Sequence, residues 1–225
     1  MRMNIKALAI TGVILTGATA CTSTTQEENT EAPEESVAFA YTCQETLSTN
    51  EPLSSTGLPN NVTLTGSPLG FQVPVSDTAG GCEQLASGAR AGFARTETGA
   101  TLAALNAALG YHPGGSQTML DEAEAKISAS QHWDQMKAGS EQYLASGAQL
   151  PAASTLKVTG FTVQNYSPNN ATVQVFITPK NRLETYKMTV NLVWEKDWKI
   201  ITGPSDFYID TTTTTQKPQF SYTQE

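Results

Sequence analysis

The stretch ATVQVFITPKNRLETYKMTVNLVW, from Ala171 to Trp194, decides the fold. Val173, Val175 and Ile177 alternate with Gln174, and Tyr186, Met188, Val190, Leu192 and Trp194 alternate with Lys187, Thr189 and Asn191. A period of two sends apolar side chains to one face of an extended chain and polar ones to the other, the pattern of half-buried antiparallel strands. Ser167-Pro168-Asn169-Asn170, Pro179-Lys180-Asn181 and Glu195-Lys196-Asp197 separate the runs with turn residues. The last is short enough to force a hairpin into Trp198–Thr202. With Val158 and Gly160 upstream, this predicts an antiparallel meander of about four strands from Leu156 onward.

Helices precede the meander. Thr96 is an N-cap before Glu97, and Ala100, Leu102, Ala103, Ala104, Leu105, Ala107, Ala108 and Leu109 follow before a Gly110 stop. Small residues all round suit close packing against a sheet. A second helix is expected from Met119 to Ser128 with Thr118 as its cap and Asp121 and Glu122 in its first turn, favourable to the helix dipole. A third is expected over Asp134–Ala145, with Met136, Tyr143 and Leu144 on one face and Gly147 and Pro151 closing it. Val62–Leu64 and Phe71–Val75 are short strands, and Pro74 confines the second to an edge or a strand end. Helices followed by a meander describe one α+β domain over residues 58–205, its helices on one face of a curved sheet. Residues 206–225 form a Thr-rich tail that includes Thr211–Thr215. Fraying is expected there, an edge strand at Phe207–Ile209 being the alternative.

The N-terminus reads as an address. Arg2 and Lys6 precede an uncharged run, Ala7–Ala20, so residues 1–20 have the order of a secretory signal peptide. The run is too short to span a bilayer, which takes ~20 apolar residues. Setting it aside leaves 21 acids against 11 bases, so the net charge moves from −8 to −10. That excludes a polybasic protein and argues against a phosphate-tracking surface, so no nucleic-acid partner is expected. Ala18-Thr19-Ala20-Cys21 resembles the lipobox of bacterial lipoproteins, with Ala18 where Leu is usual. This makes Cys21 the expected lipidation site and holds the protein on the outer face of the cytoplasmic membrane. Thr22–Ser36 carries Glu27, Glu28, Glu31, Glu34 and Glu35 with no base or aromatic, the composition of a disordered tether. Val37–Gly57 continues as an extended arm, so residues 21–57 comprise anchor site, tether and arm.

The chain has three Cys. With Cys21 lipidated, Cys43 and Cys82 remain as an even pair, and export to an oxidising compartment favours a disulfide between them. The competing reading is two free or metal-binding thiols, for which a third ligand at suitable spacing is missing.

Two blocks carry a family resemblance. The first is Phe71-Gln72-Val73-Pro74-Val75-Ser76-Asp77-Thr78-Ala79-Gly80 with Ala91-Gly92-Phe93-Ala94-Arg95-Thr96-Glu97-Thr98-Gly99-Ala100. The second is Gly160-Phe161-Thr162-Val163-Gln164-Asn165-Tyr166-Ser167-Pro168 with Thr189-Val190-Asn191-Leu192-Val193-Trp194 and Asp197-Trp198-Lys199-Ile200-Ile201. Over about Pro68–Gly203 they resemble an actinobacterial envelope domain family of unknown function. That family is similar to the extracytoplasmic domains of conjugal transfer scaffold proteins of the TcpC type. The resemblance implies a cystatin-like or nuclear-transport-factor-like cone, with helices wrapped by a strongly bent antiparallel sheet. It also implies a place in a conjugation or mobile-element system. Family members have Gly-Asp-Trp where this chain has Lys196-Asp197-Trp198, and a transmembrane helix where this chain has Cys21.

No catalytic constellation stands out. His132 and Asp134 are the nearest acid-base pair, but residues two apart on a helix point away from each other; His112 lies in a Pro-Gly loop. Both histidines read as surface residues. Trp133, Tyr143, Phe161 and Trp194 read as core, with a ligand pocket as the alternative. The expectation is therefore a non-enzymatic, lipid-anchored envelope protein with no cofactor or metal. It would act through contacts with envelope proteins or with itself. A small-molecule-binding lipoprotein using the cone interior is the alternative.

Overall fold

The Ala-rich run after Thr96 folds as helix α1 (Glu97–Gly110), and the Thr96 hydroxyl accepts the Gly99 N–H at 3.1 Å. Leu102, Leu105, Leu109 and the alanines at 100, 103, 104 and 107 are all buried. A helix that is apolar all round must be enclosed on all sides. Two antiparallel sheets enclose it.

The first sheet has the order β1 (Val62–Gly66), β2 (Gln72–Ser76), β3 (Gly80–Gln84), β4 (Arg90–Phe93). The second is the meander β5 (Leu156–Tyr166), β6 (Asn170–Pro179), β7 (Thr185–Trp194), β8 (Trp198–Ile200). It is extended by β9 (Asp210–Thr214) beside β7 and by β10 (Phe220–Ser221) beside β5. Val158, Phe161, Val173, Val175, Val190 and Leu192 face α1 from this sheet, and each fully buried Val, Leu or Phe side chain contributes about 1.5–3 kcal/mol. This computed structural model describes residues 40–55, 57–59, 61–150, 156–180, 182–203 and 209–222. The chain divides into two units, Met1–Ser36 and Val37–Glu225. The expected signal peptide, Cys21 and the acidic tether all lie outside the described residues, as do Pro151, Asn181 and the expected edge-strand residue Phe207.

The fold is thus a mixed α+β architecture with two antiparallel sheets, and neither sheet closes into a barrel. It differs from the expected single sheet of about four strands with helices on one face. β3 and β4 hold Gly80, Gly81 and Gly92 and lack alternation, so nothing local marks them as strands. They form because β2 and their own hairpin give their backbone groups partners, while α1 packs against them. β2 is interior, which corrects the edge placement of Pro74. It pairs with β3 only at Ser76 and Gly80, so no ladder on that side needs a proline N–H. The Pro74 carbonyl instead accepts from Asn106 Nδ2 of α1 at 2.7 Å.

The remaining helices lie on the flank. The expected 119–128 helix is two short pieces, α2 (Gln117–Asp121) and α3 (Ala123–Lys126), and Ser116 caps the first in place of Thr118. The break falls at Glu122, whose carboxylate accepts from both the N–H and the hydroxyl of Ser87. α4 (Gln131–Ala145) begins one turn earlier than expected, because Ser130 caps it on the Trp133 N–H at 3.0 Å.

The C-terminal stretch does not fray where it is described. Thr211–Thr214 pair with Tyr186, Lys187, Met188 and Thr185 of β7, which gives the threonines the partner that their strand preference needs. Thr215–Gln219 then leads from the β7 flank to the β5 flank. Phe176 faces away from α1 and is nevertheless fully buried, because this crossing segment covers the outer face. Gly160, opposite Phe176, leaves the room: a Cβ there would lie 2.7 Å from Pro218. Gly160→Val is therefore expected to lift the strap and to destabilise by about 2 kcal/mol. Urea unfolding measures the loss, and faster proteolysis after Thr214 reports the released end.

Candidate functional site

Two features gather polar groups, a buried carboxylate and an open groove, and both depend on the arm before β1. The carboxylate belongs to Asp197 in the β7–β8 turn, which is 1% exposed. Its Oδ1 accepts the Phe93 and Trp198 N–H groups at 2.9 Å each, and its Oδ2 accepts the Gly92 N–H at 2.9 Å. Gln44 Nε2 from the arm reaches Oδ1 at 3.4 Å and donates to the Phe93 carbonyl at 2.9 Å. Lys126 is buried nearby, its Nζ donating to the Arg90 carbonyl at 2.5 Å and lying over the Phe93 ring. Burial raises the Asp197 pKa, opposed by Lys126 and the three backbone donors. Burial lowers that of Lys126, opposed by Asp197 and Glu122.

The turn that delivers Asp197 holds one residue in the left-handed region. Lys196 has φ 68°, the only positive value among described non-glycine residues. A three-residue hairpin favours a glycine at its left-handed position. Lys196→Gly is expected to stabilise the domain by about 1 kcal/mol, read as a higher urea midpoint with an unchanged slope.

Cys43 and Cys82 form a disulfide with their Cα atoms 6.2 Å apart, as the cysteine count implied. Gly92, at φ 72°, passes so close that a Cβ would lie 2.8 Å from the Cys82 sulfur. The bridge and Gln44 fix the 3-10 turn Thr42–Thr46 against β3 and β4. The arm is therefore an integral wall. It continues with the Ser48 N–H donating to the Thr78 carbonyl at 2.8 Å.

The groove lies between that wall and β5. β10 covers only Gly160 and Phe161. From Val163 to Tyr166, β5 has β6 on one side and, among the described residues, no strand on the other. A cleft of about 420 Å³ is lined by Leu53, Ser54, Ser55, Glu97, Val163, Gln219 and Phe220. A smaller hollow of about 100 Å³ is lined by Thr49–Pro52, Thr96, Glu97 and Tyr166. Glu97 lines both, and its Oε2 accepts the Leu53 N–H at 3.3 Å. Glu51 Oε1 accepts from the Thr78 hydroxyl at 3.1 Å, while Oε2 is buried without a hydrogen-bond partner. No Lys or Arg lines either space.

The other residues singled out in the sequence are dispersed. His132 and Asp134 are exposed on α4. His112 is not a surface histidine: it is partly buried, its Nδ1 accepts the Gly114 N–H at 3.0 Å, and burial lowers its pKa. Phe161 is core, and Trp133 is buried beside a surface cleft between α2 and α4. Trp194 stacks edge-on with Trp198 and carries the Arg95 guanidinium 5.6 Å above its ring. Among the described residues no three His, Cys, Asp or Glu gather to hold a metal ion, and no helix is long and apolar enough to cross a membrane.

The sequence did not mark Asp197, Lys126 or the groove as sites. Asp-Trp after a turn reads as a hairpin, and an open edge depends on which strands find partners.

Among known proteins, one family model, described as a domain of unknown function (DUF8175), matches residues 22–219. No curated protein and no solved structure matches the chain.

Proposed function

We propose that this chain, which belongs to the DUF8175 family of domains of unknown function, is an exported, lipid-anchored envelope protein without catalytic activity. On this reading it acts through protein contacts as an accessory or scaffold of a conjugation or mobile-element system. The observation that carries the reading is the Cys43–Cys82 bridge, since disulfides persist in oxidising, extracytoplasmic surroundings. The leader over residues 1–20 and the position of Cys21, one residue before the family match begins, agree with it.

Two further observations support contact over interior ligand binding. α1 occupies the space between the sheets, and the clefts around β5 and α4 open at the surface with Ser, Gln, Asp and Glu in their walls. The transfer context rests on the expected likeness to TcpC-type domains alone.

Mass spectrometry of membrane fractions from wild type and Cys21→Ser tests the anchor. Wild type should be lipidated and membrane-bound and the variant released; two soluble, unlipidated proteins would overturn it. Transfer frequency in a deletion strain tests the context, where an unchanged frequency removes the conjugation role. A ligand-dependent rise in melting temperature would favour the small-molecule reading instead.

A further inference from the structure

We infer that the groove along β5 is a docking site for an extended peptide segment carrying Lys or Arg, added as a strand in line with β10. The inference rests on the contact-based reading above and names the kind of partner.

β5 is eleven residues long and β10 occupies two of its positions, so the ladder on that side stops while β5 continues to Tyr166. Backbone donors and acceptors at an open edge are a template for another strand. Sheet proteins usually blunt such edges with charge, a bulge or a covering segment. Here a register shift at Val163/Asn165 leaves the stretch to Tyr166 only partly blunted, and the covering segment stands off: Thr49–Ser55 runs along the far side and leaves a trough between itself and β5.

β10 itself shows what an occupant can do. The Gln219 N–H donates to the Thr162 hydroxyl at 2.9 Å, the Tyr222 N–H donates to the Thr159 carbonyl, and Phe220 stacks on Phe161 with centroids 5.1 Å apart. A second segment extending this line past Pro218 would meet Val163 and Asn165 on its sheet side.

Charge selects the occupant. Glu97 lies at the centre of the trough and Glu51 at its end, with no cation in the lining. A lysine or arginine on the incoming strand can donate to both carboxylates, and charge-assisted hydrogen bonds in a partly enclosed cleft are stronger than neutral ones. An acidic segment would meet Glu51 and Glu97 with like charge. Backbone pairing therefore supplies the attraction, and the carboxylates supply selectivity.

The test uses the isotopically labelled mature chain and the synthetic octapeptide TVKVTKVT. Controls are its Lys→Glu counterpart and a form methylated on alternate backbone nitrogens, which keeps the charge but removes strand hydrogen bonds. The lysine peptide should bind at least about tenfold more tightly than either control and protect the amides of Val163 and Asn165 from hydrogen exchange. Ser55→Arg, an exposed change that fills the trough with a cation, should weaken binding by about the same factor. So should Glu97→Gln, checked against its own melting curve. No binding, equal binding of the three peptides, or protection confined to other strands overturns the inference. Lipidation of Cys21 is read independently. An anchored chain that takes no peptide refutes the groove alone, and a peptide-binding chain that is never anchored refutes the anchoring alone.

Discussion

Replacing Asp197 with alanine is expected to cost about 3–5 kcal/mol of folding stability, enough to unfold a large share of a marginally stable domain. Three backbone N–H groups and the Gln44 amide converge on this carboxylate, and all are enclosed. Alanine leaves them without an acceptor, and each orphaned buried donor costs about 1–3 kcal/mol. Lys126 meanwhile loses the charge that most favours its protonated form. Urea unfolding followed by tryptophan fluorescence is a direct measurement, since Trp198 adjoins the site and its Nε1 donates to the Ala94 carbonyl. Lys126→Met in the Asp197→Ala background should recover part of the loss, because it removes a buried amine that has lost its partner. A cost below about 1 kcal/mol for Asp197→Ala would show that water or a rearranged turn replaces the carboxylate.

Removing the Cys43–Cys82 bridge is expected to cost about 4 kcal/mol, the chain-entropy value for a closed loop of this length. The measurement is the melting temperature of the double alanine variant beside wild type with and without reductant. Two oxidised proteins that melt together would contradict the prediction. The bridge and Asp197 hold the same arm against β4, Gln44 being the residue after Cys43. Their losses should therefore fall short of additive by more than about 0.5 kcal/mol, as for groups sharing partners. Removing either also loosens Thr49–Ser55, so both variants should weaken the groove for an extended peptide.

Legibility differed along the chain for reasons visible in particular residues. The meander was legible because Val173, Val175 and Ile177, and then the apolar residues of Tyr186–Trp194, share one face, and that leaves a period of two in the sequence. β5, β6 and β7 pair in that order, and β8 follows the short turn after Trp194. α1 was legible from Thr96 and from a run of small residues, but not that a second sheet lies over it. β3 and β4 left no trace, since Gly80, Gly81 and Gly92 are there for close approach and positive φ, not for burial of a patterned face. Thr211–Thr214 could be strand or tail on composition alone, and the exposed side of β7 decides between them.

By itself, the sequence determined the periodic strands, the central helix and the even pair of cysteines, because each depends on side chains close along the chain or on a simple count. Only the tertiary structure decided that Asp197 draws its donors from β4 and the arm, and that, among the described residues, β5 keeps an open edge beside Glu51 and Glu97. Those contacts join residues far apart in the chain. They follow from which backbone groups remain unpaired once both sheets have closed around α1, and no local pattern encodes that.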